Sequence, residues 1–73
     1  MKINKPITHQ QFLDDVQSFC RVYAMSEREI GLSALKDTAF VGRIRAGRSP
    51  TLARVEAVYE FMMSYADERE HAD

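Results

Sequence analysis

Helix-start signals recur so closely along this chain that only short helices fit between them. Thr8 followed by Gln11 is a capping box, with Ile7 and Phe12 placed as its hydrophobic staple. The same device returns at Ser26 and Glu29, with Met25 and Ile30 as the staple pair. Farther on, Gly47 is placed to stop a helix, and Ser49 before Pro50 offers an N-cap followed by proline at the first helical position. These signals predict a first helix from Thr8 to about Ala24 and a second from Ser26 to near Leu35. After a tight turn at Lys36-Asp37, a third helix capped by Asp37 or Thr38 runs to Gly47. A fourth runs from Pro50 to about Ala66, with Asp67 to Asp73 frayed.

The apolar pattern agrees with this punctuation. Phe12, Leu13, Val16, Phe19, Cys20 and Tyr23 keep the i, i+3, i+4 spacing of one buried helical face. No stretch alternates apolar and polar residues as a half-buried strand does. The expected fold is all-α, a compact bundle of four to five short helices.

With 73 residues and no repeat or linker, the whole chain, 1–73, reads as a single domain. A chain this short buries only about 60% of the surface its unfolded form exposes, so its stability margin is small. Hydrophobic residues at 45% and charged residues at 29% are nevertheless globular values, not those of a disordered chain. The single cysteine, Cys20, has no disulfide partner, and no cluster of cysteines and histidines offers a metal cage, so neither metal nor cofactor is expected. No apolar run approaches the roughly 20 residues that span a bilayer. Met1 to Pro6 lacks the apolar stretch of a signal peptide. The expected compartment is the cytoplasm, with no membrane partner.

The net charge of −1 hides a marked asymmetry. Residues 1–35 balance. From 36 to 54, Lys36, Arg43, Arg45, Arg48 and Arg54 stand against Asp37 alone, a local charge of +4. From 55 to 73, Arg69 faces six acids, a local charge of −5. The basic stretch coincides with the third predicted helix. Placing Val41 and Ile44 inward turns Ala39, Gly42, Arg43 and Ala46 outward, with Thr38 and Arg45 at the flanks. That outer face is slim, as a helix must be to reach base edges in a major groove about 12 Å wide.

At this point the segment from Ser26 to Leu52 resembles the lambda-repressor and Cro-like helix-turn-helix family. Ile30 and Gly31 match the buried aliphatic and small positions of its second helix, and Val41 and Ile44 match the two buried positions of its recognition helix. Gly47 and Pro50-Thr51-Leu52 fall at its post-helix glycine and its entry to the next helix. The resemblance implies a helix-turn-helix over about 26–47, with Gly31 small because helices two and three cross closely. It also implies base contacts from Thr38, Ala39, Gly42 and Arg43, with Arg43 the principal reader of guanine. Arg28, Arg45, Arg48 and Ser49 are placed to hold phosphates. The partner so implied is double-stranded DNA, read as an inverted repeat by a homodimer. The function implied is that of a bacterial or phage transcriptional regulator, a repressor acting by operator occupancy, with no small-molecule ligand.

The fourth helix carries two apolar stripes: Leu52, Val55, Tyr59, Met62 and Ala66 make one, and Val58, Phe61 and Tyr65 the other. The second stripe packs on helix one or forms a twofold dimer interface. Phe40 lies beside Ile44 on the helical wheel and is expected in the core, and Cys20 is expected to be an inert thiol. No histidine, cysteine and carboxylate set converges, so no enzymatic activity is expected. The rival function is a protein-interaction module, an adaptor or antitoxin-like subunit, gripping its partner through the apolar surface of helix four.

Overall fold

A computed structural model describes residues 8–71, which form four helices and, among those residues, no strand. The helices are α1 (His9–Tyr23), α2 (Glu27–Leu35), α3 (Phe40–Arg45) and α4 (Leu52–His71). The expected all-α bundle is what the described residues form, with four helices.

Each start can be traced to a side chain. Thr8 caps α1 by accepting the Gln11 N–H at 3.0 Å, but the Gln11 side chain turns away to Asp15 at 2.9 Å, so only half of the expected capping box forms. Its staple partner Ile7 lies outside the described residues. At α2 the box is complete: Ser26 Oγ accepts from the Glu29 N–H at 3.1 Å, and Glu29 Oε1 accepts from the Ser26 N–H at 2.8 Å. The fourth helix corrects the sequence reading. It begins at Leu52, capped by Thr51, whose hydroxyl accepts the Arg54 N–H at 3.3 Å. Ser49 and Pro50 precede it outside the helix, because Thr51 takes the cap.

The ends are equally specific. Ala24 and Lys36 both adopt left-handed backbone, at φ 54° and 56°, and reverse the chain after α1 and α2. Gly47 does so after α3 at φ 105°, where glycine carries no steric penalty. The tail also departs from expectation: α4 continues through the acidic segment to His71. No Gly or Pro interrupts it, and Arg69 reaches back one turn to the Tyr65 hydroxyl at 2.7 Å, its guanidinium lying 4.9 Å from the ring centroid.

Phe12, Leu13, Val16 and Phe19 of α1, Ile30 of α2, Phe40, Val41 and Ile44 of α3, and Val58 and Met62 of α4 make one core. Phe40 is buried there, edge-on to Phe12 with ring centroids 6.2 Å apart. Val55, Val58, Tyr59, Phe61, Met62 and Tyr65 from the two stripes of α4 turn toward the core, while Leu52 stays exposed. Val58 has no exposed surface and is therefore no part of a dimer interface. Phe61 and Tyr65 pack against Phe19, at 6.2 and 5.6 Å between centroids, and Tyr65 also meets Tyr23 at 5.3 Å. Helix one packs against this stripe and leaves Phe61 and Tyr65 half-buried. At the other end of the same junction the Tyr59 hydroxyl donates to Asp15. Helix α2 approaches α4 more closely than α1 does, the contact of α1 with α4 running through large aromatic side chains.

Among the described residues no helix is long and apolar enough to cross a membrane.

Candidate nucleic-acid interface

The basic stretch is presented by α3 and the loops on either side of it. Asp37 organises the entry: its Oδ1 accepts the Ala39 N–H at 3.1 Å and its carbonyl accepts the Phe40 N–H at 3.2 Å. Thr38 and Ala39 therefore form a turn, and the helix starts at Phe40, later than the sequence suggests. With six residues, α3 is only about 9 Å long. Val41 and Ile44 anchor it in the core, as their spacing requires.

The opposite face is the expected one. Ala39, Gly42, Arg43 and Ala46 are exposed, and Thr38 is half-buried at the edge. Together with Glu27 and Arg28 from the start of α2, they line a shallow depression of about 350 Å³. Thus the four residues expected to face bases, Thr38, Ala39, Gly42 and Arg43, are gathered on one surface beside Arg28. Arg48 and Ser49 lie on the other side of α3. There, with Phe40, Arg43, Pro50, Thr51 and Arg54 among their neighbours, they line a second hollow of about 210 Å³. Arg43 belongs to both.

Gly42 is the narrowest point of the outer face. A Cβ built there meets nothing within 4 Å, so no packing demand explains the glycine. Gly31 differs. A Cβ there collides with the Asp37 carbonyl oxygen, with Phe40 Cβ farther away at 3.7 Å. The close approach that requires this glycine is to the backbone of the turn rather than to the body of α3.

Three of the arginines are tied back to the protein. Arg43 Nη2 pairs with Asp37 Oδ2, and Arg54 Nη1 stands 3.7 Å from the same oxygen. Arg45 grips Glu27 through Nη2 and through Nε at 3.2 Å, which raises its already high pKa. The side chains of Arg28 and Arg48 make no hydrogen bond or ion pair among the described residues. Sequence reasoning passed over Asp37 and Glu27 as partners and Arg54 as a member of the site. Asp37 could have been singled out as the lone acid in the basic stretch. Glu27 lies eighteen residues from Arg45, and only the packing of α2 on α3 joins them.

The remaining chemistry is sparse. Among the described residues no three metal-ligating side chains converge. Burial pushes the Cys20 thiol above its ordinary pKa, with Glu27 adding to the shift, so the thiolate is suppressed. Among the described residues no buried side-chain nitrogen or oxygen lacks a hydrogen-bond partner. What the surface presents is positive charge around a slim helix. No family model, curated protein or solved structure matches the chain.

Proposed function

We propose that the protein is a sequence-specific regulator of transcription that binds double-stranded DNA with α3 in the major groove. The observation that carries this reading is the outer face of α3: Ala39, Gly42 and Ala46 leave it without bulk, and Arg43 projects from it between two hollows flanked by Arg28 and Arg48. Arg43 reads guanine through O6 and N7, a bidentate contact worth about 1–3 kcal/mol of discrimination. Thr38 and Ala39 contribute a hydroxyl and a methyl to neighbouring bases. Arg28, Arg45, Arg48 and Ser49 grip phosphates and set register.

A helix about 9 Å long reads few bases. We therefore assign the protein to an inverted repeat, bound by two copies with half-sites about 34 Å apart, in the cytoplasm of a bacterium or in the service of a phage. Occupancy of the operator excludes polymerase, and that is the mechanism of repression.

The test is fluorescence anisotropy against a pool of randomised duplexes and the gene's own upstream DNA across a salt series, with Arg43→Ala alongside. Salt-dependent binding to an enriched inverted repeat, lost in Arg43→Ala, supports the reading. Absence of duplex binding even at low salt rejects it and turns attention to protein partners. For such partners α4 offers Leu52 and Met63, 70% and 69% exposed, in place of the stripe that α1 packs against.

A further inference from the structure

Three groups converge on the carboxylate of Asp37. Oδ1 holds the Ala39 N–H, and Oδ2 receives Nη2 of Arg43, with Nη1 of Arg54 at 3.7 Å. The Asp37 side chain is 21% exposed, whereas those of Arg43 and Arg54 are 45% and 51% exposed. The carboxylate thus lies behind, and the two guanidiniums stand in front of it at the rim of the hollow that Arg48, Ser49 and Thr51 also line.

Two features separate the charge of Asp37 from its role in the turn. The turn needs only a neutral acceptor at Oδ1 and the backbone carbonyl. And Asp37 is the single acid among residues 36–54, so its charge is the one that offsets this basic patch from within. An anion before a guanidinium is also what a phosphodiester would present to Arg54.

We propose that Asp37 is an internal competitor for DNA: it occupies Arg43 and Arg54 in the free protein, and a base edge at Arg43 and a phosphate at Arg54 must displace it before either guanidinium engages the duplex. This rests on the DNA-binding reading above and adds Arg54 to the phosphate-binding set. Exposed ion pairs are weak, so the exchange is reversible and its cost modest. Because that cost falls on every duplex, it suppresses binding to arbitrary sequence. It falls equally on the specific site, so the carboxylate sets overall affinity and its salt dependence, while the guanine contact of Arg43 sets the ratio between specific and arbitrary sequence.

Asp37→Asn keeps the Oδ1 acceptor and removes the charge. Its affinity for a randomised duplex pool, read by anisotropy across about 50–200 mM salt, is expected to rise about three- to tenfold, with the slope of log K against log salt steeper by about one. Arg54→Gln, which leaves the turn intact, should then weaken binding more in the Asp37→Asn background than in the wild-type chain. Circular dichroism melts of all variants confirm that folded proteins are compared. Unchanged affinity and slope in a folded Asp37→Asn, or weaker binding, overturns the proposal and leaves Asp37 as a turn cap or as a support that aims Arg43. Wild-type binding with no response at Asp37 defeats this inference alone. Absence of duplex binding by every variant defeats the functional reading, and the inference with it.

Discussion

The carbonyl oxygen of Asp37 stands where the Cβ of any residue larger than glycine at position 31 would be. The two residues are also hydrogen-bonded, Asp37 N–H to Gly31 carbonyl, at 3.1 Å. The turn between α2 and α3 is folded flat against α2, and Gly31 is the reason it can be.

Gly31→Ala should therefore destabilise the protein by about 1–3 kcal/mol, the usual cost of overpacking a filled site, although alanine is the better helix former. Chemical denaturation of the two proteins measures it. A neutral or stabilising result would show that the turn can move away from α2 at little cost.

Lys36, which follows α2, adopts φ 56° without being glycine, and pays about 1 kcal/mol or more for a left-handed backbone. Lys36→Gly should raise stability by up to about 1 kcal/mol after the greater entropy of glycine in the unfolded chain is allowed for. A thermal melt that moves downward would show that the lysine side chain supplies something beyond its backbone shape.

At Gly42 stability and function are expected to part company. It is an exposed helical glycine with open space around it, so Gly42→Ala should stabilise by about 0.5–1 kcal/mol. Gly42→Glu should fold as well as the parent yet lose duplex binding, because bulk and negative charge are then placed at the narrowest point of the outer face. Melting curves and anisotropy on the same preparations separate the two effects. Duplex binding retained by Gly42→Glu would argue that this face does not enter a groove.

Tyr59 donates to Asp15 and so joins α4 to α1. Tyr59→Phe should cost about 1 kcal/mol through the lost hydrogen bond. Burial first, and the Asp15 carboxylate second, raise the phenol pKa well above its ordinary value. An acid whose folded pKa is raised contributes stability that is intact below the unfolded pKa, about 10, and is lost as pH rises beyond it. The wild-type chain should thus lose stability more steeply than Tyr59→Phe above about pH 10. Denaturant midpoints at neutral and alkaline pH test the difference, and parallel curves would remove Tyr59 from the linkage.

Particular residues show how much was legible in advance. Ser26 with Glu29, the left-handed stop at Gly47, and the inward placement of Val41 and Ile44 were all readable, because each depends on neighbours within one or two helical turns. The candidate face of α3 followed from the same local periodicity. The start of α4 was misread because Ser49 and Thr51 are both competent caps, and local sequence does not rank them. The end of α4 was set too early, at about Ala66, although no Gly or Pro stops the helix before His71.

Local sequence thus determined the helices, their order and the concentration of positive charge around α3, since capping, periodicity and charge act over a few residues. Tertiary structure decided what those elements face. It turned the second stripe of α4 onto Phe19 and Tyr23, pressed the Asp37 carbonyl onto Gly31, and gave Arg43 and Arg45 their carboxylate partners. Such pairings depend on how helices dock, and docking is settled by the summed fit of many distant side chains, which no local spacing encodes.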